Sequence, residues 1–193
     1  LKEQGYEVEG VTMCFNIQHT AGRRPSCCGV EGIQAARAAA QCLSIPHHVL
    51  DFAGDIEELV VQNFIQEYCR GRTPNPCVRC NQYLKFGTLR VLVQQLGMDY
   101  LATGHYARID RDDQTGRFRL RKGTDAKKDQ TYFLYGLPEA ALPFVLFPLG
   151  DLTKTDVRAL ARRMGLPTSE RLESQDICFI SSGGYKTFIQ GRL

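Results

Sequence analysis

Residues 6–13, YEVEGVTM, alternate apolar and polar positions in the period-two manner of a half-buried strand. A polar loop follows from Asn16 to about Gly29, and the alanine-rich GIQAARAAAQCLSI then reads as a helix. Pro46 introduces HHVLDF, a short strand ending at Phe52. Over 55–71 the apolar Ile56, Leu59, Val60, Phe64 and Tyr68 recur at three- and four-residue spacing, which predicts an amphipathic helix stopped by Gly71. After the loop TPNPCVRCNQ a second helix is expected from roughly Gln82 to Gln95, with Leu89, Val91 and Leu92 apolar. LGMDYLATGHY then gives a helix end, a short strand and a Gly-His turn.

The alternation β-α-β-α-α-β predicts an α/β fold, a parallel sheet with helices on both faces. In such sheets ligands bind beyond the carboxyl ends of the strands, where Met13 and Thr103-Gly104-His105 are expected to lie. From 106 the pattern changes. YARIDRDDQTGRFRLRKG reads as a β-hairpin turning at DDQTG, and Arg117, Arg119 and Arg121 fall on one face of its second strand. That face is either solvated or a site for a polyanion. KKDQTYFLYGL predicts a short helix with a basic start, and Thr153 with Asp156 forms a capping box for a helix ended by Gly165. The isolated Cys178 and a Gly-Gly turn mark the tail. One domain is expected over 1–193, with an α/β core at 1–105 and an added hairpin and helical part at 106–193.

With 43% hydrophobic and 23% charged residues, the chain has the composition of an ordinary globular protein. No apolar run reaches the ~18–20 residues of a membrane span. ALPFVLFPL, among the longest, is short and broken by proline. A net charge of +3 is compatible with a polyanionic partner without requiring one. The start, LKEQG, has neither an apolar signal segment nor an initiator Met. It resembles the last turn of a helix stopped by Gly5, so the chain is expected to begin inside an element.

Eight cysteines in a chain with a sufficient apolar core suggest a reducing cytosolic setting rather than a disulfide framework. Cys77 and Cys80 form a CxxC pair, but no second CxxC lies at zinc-ribbon distance. The neighbouring pairs Cys27-Cys28 and His47-His48 are poorly spaced for one tetrahedral centre. A thioredoxin-like couple would follow a strand directly, and here a helix and a proline loop intervene. Cys80, closest to the expected helix start and flanked by Arg79 and Lys85, is the better candidate for a reactive thiolate. Two inert loop cysteines remain the bland alternative. His105 at a strand end is as readily structural as functional.

Taken in order, TPNPCVRCNQYLKFG, DYLATGHYARI, KKDQTYFLYGL, FPLGDLTKTDVRALA and ESQDICFI resemble the tRNA-specific 2-thiouridylases of the PP-loop ATP pyrophosphatase group. The resemblance runs over essentially the whole chain. It implies ATP- and Mg2+-dependent adenylation of the C2 oxygen of the wobble uridine, followed by sulfur transfer from a cysteine persulfide. By this resemblance Cys80 is the nucleophile and Cys178 carries the persulfide, and the two can form a transient disulfide. Met13 and Gly104 correspond to nucleotide-binding positions. Asn75, Pro76 and Cys77 correspond to contacts with the target base. His105, Lys128, Asp129 and Gln130 correspond to tRNA contacts, which makes 106–193 the tRNA-contacting part. The implied partners are tRNA and a sulfur donor, either a cysteine desulfurase or a sulfur-relay carrier, in the cytoplasm with no membrane involved. A base reacting at C2 must leave the stack, which fits a flipped-base pocket.

Two departures matter. Many members of the family carry Asp where this chain has Cys77. With Cys77, Cys80 and Cys178 together, an alternative is a [4Fe-4S] cluster held by the three cysteines. The family's SGGVDSS-type phosphate loop and its carboxyl-terminal barrel have no counterpart in these 193 residues, so this chain alone is expected not to turn over ATP. The competing readings are a PP-loop synthetase acting on a small metabolite and a metal-bearing RNA-binding module without catalysis.

Overall fold

The computed structural model describes residues 1–16, 30–171, 177–180 and 184–193. Nearly all of the expected polar loop from Asn16 to about Gly29, with Cys27 and Cys28, lies outside the described residues, as does the whole ESQD stretch at 173–176. The described chain forms two compact units, Leu1–Arg72 with Ala161–Leu193, and Thr73–Leu160. This is a different cut from the one the sequence pattern gave at residue 105.

In the first unit, β1 (Gly10–Cys14) pairs in parallel with β2 (His47–Asp51), in register from Gly10 opposite His47 to Cys14 opposite Asp51. The helix Val30–Cys42 makes the connection between them that parallel strands need. The expected amphipathic helix is present as a continuous stretch over 53–69. Its hydrogen bonds widen to the i→i+5 pattern through Glu57–Val61. Ile56, Val60 and Phe64 from the predicted stripe are buried, together with Val61. Phe64 meets Phe179 edge to face at 5.3 Å, and Phe179 meets Phe188 of the Gly184–Gln190 helix at 5.4 Å. Tyr68 stacks on Tyr185 at 4.7 Å. These rings tie the tail to the 53–69 helix.

In the second unit a continuous helix spans 76–95. It starts six residues earlier than its apolar period indicated. Asn75 caps it, its Oδ1 accepting from the amides of Cys77 at 3.1 Å and Val78 at 3.2 Å, and Pro76 occupies the first turn. The Asn-Pro pair was therefore the start signal. Val78, Leu84, Phe86, Leu89 and Val93 are buried along this helix, whereas Val91 is exposed. Hydrogen bonding is of the i→i+5 type over Cys80–Leu89.

β3 (Leu101–Ala102) pairs in parallel with β6 (Val145–Leu146), a strand hidden within the run ALPFVLFPL. The parallel pairs β1–β2 and β3–β6 bear out the α/β reading. The hairpin is present as β4 (Ala107–Arg111) and antiparallel β5 (Phe118–Lys122), with Asp110 opposite Arg119. KKDQTYFLYGL holds only a single 3-10 turn, Thr131–Leu134. The capping box is made as predicted. The Thr153 hydroxyl donates to Asp156 Oδ2 at 2.6 Å and accepts from the Asp156 amide at 3.2 Å, opening the helix Lys154–Arg163. Gly5 and Gly165 adopt left-handed backbone angles, φ 88° and 65°, as their stop roles require. Among the described residues no helix is long and apolar enough to cross a membrane.

Candidate functional site

The early start of the 76–95 helix changes the standing of its two cysteines. Cys77 is the second helical residue and is exposed, while Cys80 lies a turn further in and is half-buried. The helix N-terminus therefore lies closer to Cys77 than to Cys80. The expectation that Cys80 lies nearest the helix start is corrected on this point. The two cations expected to assist Cys80 also have other neighbours. The Arg79 guanidinium lies over the Tyr83 ring at 4.6 Å, and Lys85 exerts its charge on His105.

Asn75 is occupied in capping, and Pro76 is buried. Asn81, next to Cys80, is only 3% exposed, and its Nδ2 donates to the Phe133 carbonyl at 2.9 Å. This buried amide joins the cysteine-bearing helix to the Thr131–Leu134 turn, and the sequence reading missed it. A polar residue at a buried helical position one step after the CxxC was the available signal.

The 123–131 loop is a scaffold of hydrogen bonds. Asp125 accepts from the amides of Lys127 and Lys154, both at 3.0 Å, and the Lys128 amide donates to the Asp125 carbonyl. Asp129 accepts from the Gly123 amide at 3.0 Å and the Thr131 hydroxyl at 2.6 Å. Burial pushes the Asp129 pKa up, but the Thr131 hydroxyl, the amides of Gly123 and Thr131, and the Lys122 charge outweigh it, so the net shift is downward. Gln130 clamps Tyr106 in both directions. Its Oε1 accepts from the Tyr106 amide, and its own amide donates to the Tyr106 carbonyl, each at 3.0 Å. Asp129 and Gln130 thus shape the loop that carries Lys128.

His105 follows β3 as expected, with its ring 5.8 Å from those of both Phe86 and Phe147. Its Nδ1 shares a 2.8 Å hydrogen bond with the Thr103 hydroxyl. Burial, and then the nearby Lys85 charge, push its pKa down to about 3. The ring is neutral at physiological pH. A neutral imidazole can share a hydrogen bond or present a ring face, and it cannot attract an anion by charge.

Gly104 sits exposed after β3, and a methyl group there would meet only Leu149 Cδ1, at 3.5 Å. The protein's own packing therefore does not demand glycine at 104. In the first unit Met13 is half-buried near the carboxyl end of β1, opposite Leu50. Cys178 is half-buried beside the buried Phe179 and Ile180. A cavity of about 240 Å³ lined by Arg37, Gln41, Ile45 and His47 lies at the other end of β2, away from Met13.

The hairpin arginines meet carboxylates. Arg119 pairs with Asp110 at 2.9 Å, Arg121 with the same Asp110 at 2.9 Å, and Arg117 with Glu139 at 2.6 Å. Their charge is balanced locally, which favours the solvated-face reading. Among the described residues no group of three or more His, Cys, Asp or Glu side chains could hold a metal ion.

Parallel strand pairs set among helices define an α/β protein. More narrowly, the chain belongs to the tRNA methyl transferase HUP domain family, whose model matches residues 1–182. It is 52% identical over 190 residues to tRNA-specific 2-thiouridylase MnmA 1 of Syntrophus aciditrophicus, covering 98% of this chain and 50% of that protein. The 2-thiouridylase MnmA 1 of Caldanaerobacter subterraneus is 46% identical over 196 residues, covering 100% of this chain and 54% of the relative. The MnmA of Thermus thermophilus is 46% identical over 201 residues, covering 100% and 53%. The chain spans about half the length of the curated relatives it matches.

Proposed function

We propose that the protein containing this chain thiolates C2 of the wobble uridine of tRNA in the cytoplasm, using ATP with Mg2+. The observation that carries the reading is the likeness, over the full chain, to relatives named tRNA-specific 2-thiouridylases, with cysteines at both positions that sulfur transfer needs. ATP adenylates the C2 oxygen and pyrophosphate leaves, Met13 and Gly104 being the residues assigned to the nucleotide. A persulfide on Cys178, loaded by a sulfur-donor protein, attacks C2 through its terminal sulfur, and AMP departs with the former C2 oxygen. The Cys80 thiolate then attacks Cys178 Sγ. The S–S bond breaks with its electron pair on the sulfur retained by C2, and a Cys80–Cys178 disulfide forms that an external thiol reduces. Asn75, Pro76 and Cys77 border the base, and His105, Lys128, Asp129 and Gln130 serve the tRNA contact. The thiol of Cys77, at the helix N-terminus, stands where many relatives by resemblance use a carboxylate. In this reading it exchanges a proton with the base.

The test uses the full-length protein with ATP, Mg2+, unmodified tRNA and a cysteine desulfurase. Mass spectrometry of the peptide bearing Cys178 is expected to show an added sulfur, and Cys178→Ser and Cys80→Ser are each expected to abolish 2-thiouridine formation. Thiolation that persists in both serine variants would sink this route. ATP turnover with no thiolated tRNA would point instead to the synthetase reading.

A further inference from the structure

Two tyrosines in the second unit stand out by their exposure. Tyr132 is 65% and Tyr135 70% exposed, although tyrosine rings are usually largely covered. Both project from the Thr131–Leu134 turn and its following residue, and their ring centroids lie 6.1 Å apart at a 55° tilt. Tyr132 is also held edge to face by Phe133 at 5.5 Å.

The turn beneath them is fixed from below. Leu134 is fully buried, the Phe133 carbonyl is held by Asn81, and at Gly136 a methyl group would approach Gln82 Oε1 to 2.9 Å. These anchors are Asn81 and Gln82, the two residues that follow Cys80 on the 76–95 helix. The tyrosines therefore rise from a rigid base that packs on the first turns of that helix. A surface built this way presents aromatic faces without first having to order them.

Charge decides the occupant. Thr73–Leu160 carries 13 Lys and Arg against 9 Asp and Glu, a net +4, while the rest of the chain has 11 against 12. Lys127 and Lys128 precede the tyrosines in the same loop. Aromatic faces bordered by cations on a net positive unit match unpaired nucleotides, whose bases stack on aromatic rings while phosphates meet the cations. We propose that Tyr132 and Tyr135 form a stacking platform for unpaired bases of the RNA substrate beside Cys80. This rests on the reading that the protein acts on tRNA.

Binding of an unmodified tRNA transcript to the full-length protein is measured by fluorescence anisotropy across a salt series. Tyr132→Ala and Tyr135→Ala are each expected to weaken binding roughly tenfold. Tyr132→Phe, which keeps the ring, is expected to hold affinity within about twofold. The slope of log affinity against log salt stays unchanged in the tyrosine variants, whereas Lys127→Ala lowers it by about 0.7–1. Tyr132→Trp, a stacking substitution, is expected to bind at least as well, with its indole emission quenched on adding tRNA. Alanine variants that bind like the native protein overturn the platform. So does a loss of melting temperature at unchanged affinity, which would mean that protein covers the rings. A native protein that does not bind tRNA at all refutes the substrate reading itself, and the platform falls with it.

Discussion

Replacing His105 by glutamine removes a group that the fold keeps neutral in a setting of Phe86, Phe147 and the Lys85 charge. In the unfolded chain the imidazole titrates near 6.5, whereas in the folded protein its pKa is about 3. The folded pKa is depressed, so below pH 6.5 the unfolded state binds a proton that the native state refuses. Stability is complete above pH 6.5 and is lost as pH falls toward 3. Each unit of pH below 6.5 costs about 1.4 kcal/mol, so lowering the pH from 7 to 5 removes about 2 kcal/mol on account of His105 alone. That figure depends on the unfolded value and only on the native ring staying neutral at pH 5. Urea unfolding of native protein and His105→Gln at both pH values checks it. The native protein is expected to lose about 2 kcal/mol more than the variant. NMR titration of the imidazole gives the midpoint directly. A midpoint above pH 5, or the same pH dependence in the variant, refutes the assignment of a neutral buried ring.

Gly150→Ala is expected to destabilise the second unit by about 1–3 kcal/mol, read as a lower urea midpoint, because a methyl group there would collide with the Ala107 carbonyl oxygen. Gly104→Ala is the contrasting case: it meets only Leu149 Cδ1 at 3.5 Å, so it should leave the urea midpoint unchanged while weakening ATP binding in equilibrium dialysis. Asn75→Ala removes the cap on Cys77 and Val78 and should cost about 1 kcal/mol in the same denaturation assay. Arg119→Ala should alter tRNA affinity by less than about twofold, measured by anisotropy, because its charge is already met by Asp110 and Asp112.

The helices and the hairpin were legible because their signals are local. Ile56, Val60 and Phe64 fall on one stripe at helical spacing, Thr153 and Asp156 sit three apart, and DDQTG joins two alternating runs. The start of the 76–95 helix was misplaced for a local reason as well. Its apolar period begins late, while the Asn-Pro cap that sets the boundary carries no period at all. β6 was missed because a two-residue strand inside an apolar, proline-broken run has no pattern of its own. Only its pairing with Leu101–Ala102 makes it a strand.

The chemistry divides in the same way. By itself the sequence determined which residue types were present and in what order, and so the family likeness and the two cysteine segments. It also determined the α/β class, because period and punctuation are properties of neighbouring residues. Only the tertiary structure decided which charges remain available. The hairpin arginines read as a basic face until Asp110, Asp112 and Glu139 are found against them. Likewise His105 read as equally structural or functional until its burial was seen, and Tyr132 and Tyr135 read as part of a short helix with a basic start until their exposure was seen. Charge balance, pKa and exposure depend on atoms brought together from distant parts of the chain, and no linear pattern records those distances.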